Sequence, residues 1–145
     1  MNQSIDVACG FLGGMILSTE GGYRVLQHPR PERVFPRISD ARWFLAVYWC
    51  NQRSEPAAIL THDGQFSFQN QAVFTIGEEA FIPLKDRSAV FNRCRTLQSG
   101  ELAIHILKSD IHQTHQRLEI LGLEIDPRYG RVAIVRALAP LSLTP

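Results

Sequence analysis

A chain of 145 residues, 45% hydrophobic and 20% charged, is long enough to bury about two-thirds of its extended surface, and this composition excludes the disordered and membrane classes. Fifteen basic against fourteen acidic residues leave a formal charge of +1, which excludes steering of the whole molecule toward nucleic acid. Cys9, Cys50 and Cys94 are odd in number, far apart and without metal-ligand spacing, so reduced thiols in a soluble, cytoplasmic protein are expected.

From the N-terminus, the apolar run Val7 to Leu17 is broken by Gly10, Gly13 and Gly14 and has no basic leader, so neither a secretory signal nor a membrane span is expected. Ile5 to Phe11, Met15 to Ser18 and Tyr23 to Gln27 read as strands. Pro29, Pro31 and Pro36 argue against regular pairing between residues 28 and 37. Arg42 to Cys50 is the most hydrophobic stretch. Ser39 and Asp40 could cap a helix there, but aromatic and β-branched content without a polar face favours a strand buried on both sides. Asp63-Gly64 predicts a hairpin between Ala57 to Thr61 and Gln65 to Phe68. Ala72 to Ile76 and Ala80 to Leu84 suggest a second hairpin about Gly77.

The latter part alternates. A helix over about 87–99 is predicted from Asp86 as cap, apolar Val90, Phe91, Cys94 and Leu97, and Gly100 as stop. Glu101 to Leu107 reads as a strand covered on both faces. Ser109 and Gly122 bracket a second helix over about 110–121, and Leu123 to Asp126 and Arg131 to Ala137 read as strands joined by the turn at Pro127 to Gly130. The whole, 1–145, is expected to be one α+β domain with a mainly antiparallel or mixed sheet.

Three functional readings follow. An interaction module, acting as a homodimer without cofactor and enclosing a small apolar ligand against His105, Trp43, Trp49 and Tyr48, fits a sheet-rich scaffold without a catalytic motif. The alternative is a metal-dependent hydrolase or nuclease. On a helix, His112, His115 and Glu119 would lie within roughly 60° of one another and could hold a divalent ion, although HxxHxxxE is not the metalloprotease pattern. A second alternative is single-strand nucleic-acid binding through Arg30, Arg33 and Arg37 in the arginine and aromatic segment 23–43, against which the near-neutral charge argues. The interaction module is preferred.

Overall fold

The computed structural model describes residues 5–6, 15–19, 21–26, 34–98, 101–108 and 115–138. The chain runs β1 (Ile5–Asp6), β2 (Met15–Thr19), β3 (Gly22–Leu26), β4 (Val34–Phe35), α1 (Ile38–Asn51), β5 (Ala57–Leu60), β6 (Phe66–Gln69), α2 (Gln71–Ile76), α3 (Glu78–Phe81), α4 (Leu84–Arg95), β7 (Leu102–Lys108), β8 (His115–Asp126) and β9 (Gly130–Ala137). Two antiparallel sheets result, ordered β1-β2-β3-β4 and β6-β5-β9-β8-β7. The α+β class expected from the sequence is the class observed.

Arg42 to Cys50 belongs to α1 and is not a strand. A helix that is apolar all round is one that is enclosed. Buried Ala41, Leu45, Ala46, Trp49 and Cys50 share a core with Ile16, Val25 and Phe35 of the first sheet and with Ile59, Leu121, Leu123, Ile125, Val132 and Ile134 of the second. Both sheets press on α1, so it has no wet face to betray a helical period. Phe44 meets Phe35 on one side, with ring centroids 5.1 Å apart. On the other, Arg42 Nη1 donates to the carbonyls of Glu124 and Ile125 at 3.1 and 3.0 Å. Asp40 sits in the first turn of α1, where the helix dipole favours it; it pairs with Arg37 and does not cap.

The opposite face of the five-stranded sheet is covered by α2, α3 and α4. There Ala58, Leu60, Leu118, Ile120, Ala133 and Val135 pack against Val73, Phe81, Val90, Phe91 and Cys94. The second expected hairpin is therefore a pair of short helices, divided at Gly77, whose φ of 94° a residue with a side chain would rarely adopt. The helix predicted over 87–99 is present as α4, but it begins three residues earlier and has Asp86 in its first turn. Its apolar stripe of Val90, Phe91 and Cys94 is buried as the spacing required.

The predicted helix over 110–121 is absent where the chain is described: residues 115 onward form β8, which runs twelve residues and pairs with β7 and β9. A strand buried on both faces loses its two-residue alternation, and its apolar run then mimics a helical stripe. Leu118 and Ile120 face α4 while Leu121, Leu123 and Ile125 face α1. Gly122 stops nothing. It lies opposite Ala133, where a Cβ would come 3.4 Å from both the Cys94 carbonyl and Arg131 Nη1, so its bareness lets the end of α4 lie on the sheet. The β8–β9 hairpin and the β5–β6 hairpin at Asp63-Gly64 formed as the turn residues implied. Val34 and Phe35 pair with β3 inside the stretch where prolines argued against pairing. Residues 7–14, 27–33, 109–114 and 139–145, with the readings made of them, lie outside the described residues.

One side chain joins the two layers. Asn70, 2% exposed, donates from Nδ2 toward the carbonyls of Cys50, Arg53 and Glu55 at 3.1, 3.3 and 2.8 Å. Its Oδ1 accepts from the amides of Ala57 at 3.1 Å and Val73 at 3.2 Å. It thus closes the exit of α1, aligns β5 and caps α2. Asn70→Ala would leave several buried peptide groups without partners, at roughly 1–3 kcal/mol each before relaxation. We expect a loss of about 3 kcal/mol in urea denaturation, and no smaller a loss for Asn70→Asp, whose second carboxylate oxygen would face the three carbonyls that Nδ2 now serves.

Candidate functional site

β7 is an edge strand, paired on one side with β8 over all seven residues from Leu102↔Leu121 to Lys108↔His115. The direction of its free hydrogen-bonding groups follows from its neighbours. Leu138 donates its amide to the Arg117 carbonyl at 2.8 Å, so the odd-numbered residues of β8 turn their peptide groups toward β9 and the even-numbered ones toward β7. Across the ladder, Ala103, His105 and Leu107 spend their peptide groups on β8, and Leu102, Ile104, Ile106 and Lys108 turn theirs outward. Arg93 agrees with this: from α4 it reaches the edge and donates to the Ile104 carbonyl at 3.3 Å.

The same residues carry the exposed apolar surface. Leu102, Ile104 and Ile106 are 54%, 36% and 56% exposed, which corrects the expectation of a strand covered on both faces. They lie on the α1 side of the sheet but beyond the end of α1. Between them and the helix stand Glu119, opposite Ile104, and Arg136, which donates to Glu119 at 2.9 Å and pairs with Glu55 at 3.6 Å. Trp49 lies beneath, with the guanidinium carbons of Arg53 and Arg136 at 5.0 and 5.7 Å from its ring centroid. Its far side shows His105 toward α4. Partial burial holds the imidazole below its ordinary value, Arg93 adds to that, and Asp86 opposes it.

The residues named as lining a ligand site are not brought together. His105 faces α4, whereas Trp43, Tyr48 and Trp49 sit on different sides of α1, across the sheet. Trp43 packs edge-on to Tyr129 at 5.4 Å, Tyr48 stacks with Phe44 at 6.3 Å, and Trp49 is 8% exposed beneath its two guanidinium groups. The metal constellation loses the helix that assembled it. β8 sets backbone positions 115 and 119 about 13 Å apart, where a helix would have placed them on neighbouring turns; His112 lies outside the described residues. Among the described residues, no group of three or more His, Cys, Asp and Glu could hold a metal ion. Of the nucleic-acid candidates, Arg30 and Arg33 lie outside the described residues, and Arg37 pairs with Asp40 at 3.4 Å at the start of α1.

A second surface is an open cleft of about 520 Å³ lined by His62, Phe91, Arg95, Tyr129, Gly130 and Arg131. Its guanidinium groups are largely engaged by the fold. Arg131 Nη1 donates to the carbonyls of Cys94 and Leu97 at the end of α4, and Arg95 lies 5.0 Å over the Phe91 ring while its Nε donates to Asn92. The sequence signal for the β7 edge was present in Leu102, Ile104 and Ile106 sharing one side. What it lacked was any indication that α1 would end short of them.

No family model matches the chain, and no curated protein resembles it in sequence. Among the described residues, no helix is long and apolar enough to cross a membrane.

The thiols are placed for packing. Burial pushes Cys50 up to about 12 and Cys94 up to about 11, against the weaker opposing pull of Arg53 on the first and of Arg131 and Arg95 on the second. Iodoacetamide at pH 8 should leave both unmodified in the native protein and label both in urea, as read by peptide mass spectrometry. Labelling of either in the folded state would contradict their role as core residues.

Proposed function

We propose that this chain is an interaction module that self-associates as a homodimer through the free edge and bare face of β7. The observation that carries the reading is the coincidence of two features on one strand: an edge that no described strand pairs with, and three exposed aliphatic side chains. Each is common alone. Together they offer a partner both a backbone ladder and apolar area, the means by which strand addition gains its affinity. A second copy is the occupant argued for because β7 suits itself. In an antiparallel pair, isoleucine meets isoleucine on one face and Ala103 meets Leu107 on the other, without opposing two lysines or two acids. Buried thiols Cys50 and Cys94 agree with a reducing compartment, and we assign the protein to the cytoplasm on that basis.

The single guard on this edge is weak. Arg93 blocks one carbonyl with an exposed side chain, and its displacement costs little, since exposed contacts of this kind contribute on the order of 1 kcal/mol or less. Light scattering across a concentration series should show a dimer for the parent chain and a monomer for Ile104→Lys and Ile106→Lys, both folded, since neither side chain is part of the core. Arg93→Ala should tighten the dimer several-fold. A parent that stays monomeric at all accessible concentrations would overturn the reading. So would a large loss of stability in Ile104→Lys, because the stripe would then be covered within the chain itself.

A further inference from the structure

We infer that two copies of β7 pair antiparallel about a twofold axis through His105, making one continuous ten-stranded sheet with two imidazoles facing each other at its centre. This rests on the self-association reading above and adds its register and its response to pH. Three facts fix the register. β7 has seven residues, so the only twofold pairing that matches all seven to seven has its middle residue, His105, on the axis. Ile104 then lies opposite Ile106 of the partner subunit and Leu102 opposite the partner's Lys108, so that four isoleucines form one apolar block on the bare face. Finally, the outward peptide groups belong to the even-numbered residues, which makes Ile104 and the partner's Ile106 a hydrogen-bonded pair and places the two His105 residues in the closer, non-hydrogen-bonded position. The neighbouring twofold registers leave two residues of each strand unpaired: the one centred on Ile106 sets Ile104 against a lysine, and the one centred on Ile104 keeps the aliphatic residues together but forfeits two of the seven pairs.

The pairing has a chemical consequence. Cα atoms in a non-hydrogen-bonded pair stand about 4.5 Å apart, so two imidazolium rings there would repel each other at close range. The groups around each His105 are Arg93 and Asp86 on α4, uncharged Leu118 across the β8 ladder, and the other imidazole. In the dimer two Asp86 carboxylates are offset by two Arg93 guanidinium groups, so nothing relieves the repulsion of a doubly charged histidine pair. Bringing the two together lowers the affinity of each ring for a proton below that in the monomer. By linkage, the dimer is then fully favoured above the monomer's histidine range and is lost as pH falls through it. If each ring shifts by about one unit, two rings weaken the dimer by about a hundredfold on full protonation.

Two measurements test this. Air or copper-phenanthroline oxidation of single-cysteine additions reads the register. His105→Cys should form a disulfide-linked dimer rapidly. Ile104→Cys and Ile106→Cys should each cross-link poorly alone, because like residues are then diagonal, but they should cross-link when mixed. The parent chain, with Cys50 and Cys94 buried, is the background control. Sedimentation at pH 7.5 and 5.0 reads the switch: the parent dimer should weaken tenfold or more at the lower pH, and His105→Gln should remove most of that dependence. A dimer in which Ile104→Cys or Ile106→Cys links to itself while His105→Cys does not would overturn the register and leave the self-association reading standing. A dimer that none of the three cross-links would overturn both, as would a monomer at every pH. An acid response unchanged in His105→Gln would overturn the switch alone.

Discussion

The carboxamide of Asn70 is the contact on which the arrangement of layers depends. Between the end of α1 and the start of β5 the chain passes from one layer into the sheet within five residues, and after β6 it leaves for the other face. A turn that tight exposes carbonyls with no helical or ladder partner, and burying them unpaired would cost more than the turn could recover. Asn70 satisfies the carbonyls on the α1 side and two amides on the far side at once. Only a side chain with both a donor and an acceptor at its tip can do this, and no wet alternative is open to it at 2% exposure.

That junction also decides what stays bare. Because α1 ends at Asn51, its last aromatic, Trp49, comes to rest over Arg136, and the Glu119–Arg136–Glu55 pairs form the border of the covered region. Charge set along that line closes the core against water on one side. On the other side it leaves Ile104 and its neighbours with nothing from the described residues above them. A similar device holds the opposite layer, where Arg87 donates to the carbonyls of Ile82 and Gly64 and lies 4.7 Å over the Phe66 ring, tying the β5–β6 turn to the entry of α4. Arg87 works through hydrogen bonds and a ring contact more than through its longer ion pairs with Glu78 and Glu79, whereas Arg136 works through its pairs with Glu119 and Glu55.

What the sequence disclosed, and what it hid, follow from the same geometry. Elements with one wet face were legible: α4 by its stripe, β6 by Phe66 and Phe68 alternating with polar neighbours, and the hairpins by Asp63-Gly64 and Pro127 to Gly130. Elements enclosed on both sides were not, since burial erases the polar positions that mark a period. α1 was read as a strand for this reason; the first seven residues of β8 were read as the end of a helix because Leu118 and Leu121 fall at helical spacing between Ser109 and Gly122, whereas Leu123 to Asp126 was read as the strand it is. The second error propagated, because it was the false helix that gathered His112, His115 and Glu119. The candidate edge was half legible: the residues of β7 and their alternation were identified, while their exposure depended on where a helix about fifty residues earlier would stop.

An aliphatic edge strand is ordinarily a hazard, since a ladder open at both ends of a sheet can propagate without limit. Here the two edges differ. β6, at the far edge, has four residues, a register irregularity against β5, and a helix that begins two residues after it ends. It offers too short a ladder for another chain to extend. Among the described residues β7 combines length, straight pairing and apolar surface, so the twofold contact proposed above would use the edge of the five-stranded sheet better fit for pairing. Closure in a dimer, and not growth into a fibre, is the outcome that this asymmetry favours. In the proposed dimer, His105 at the centre of the contact would place a titratable group where its charge opposes the association most directly.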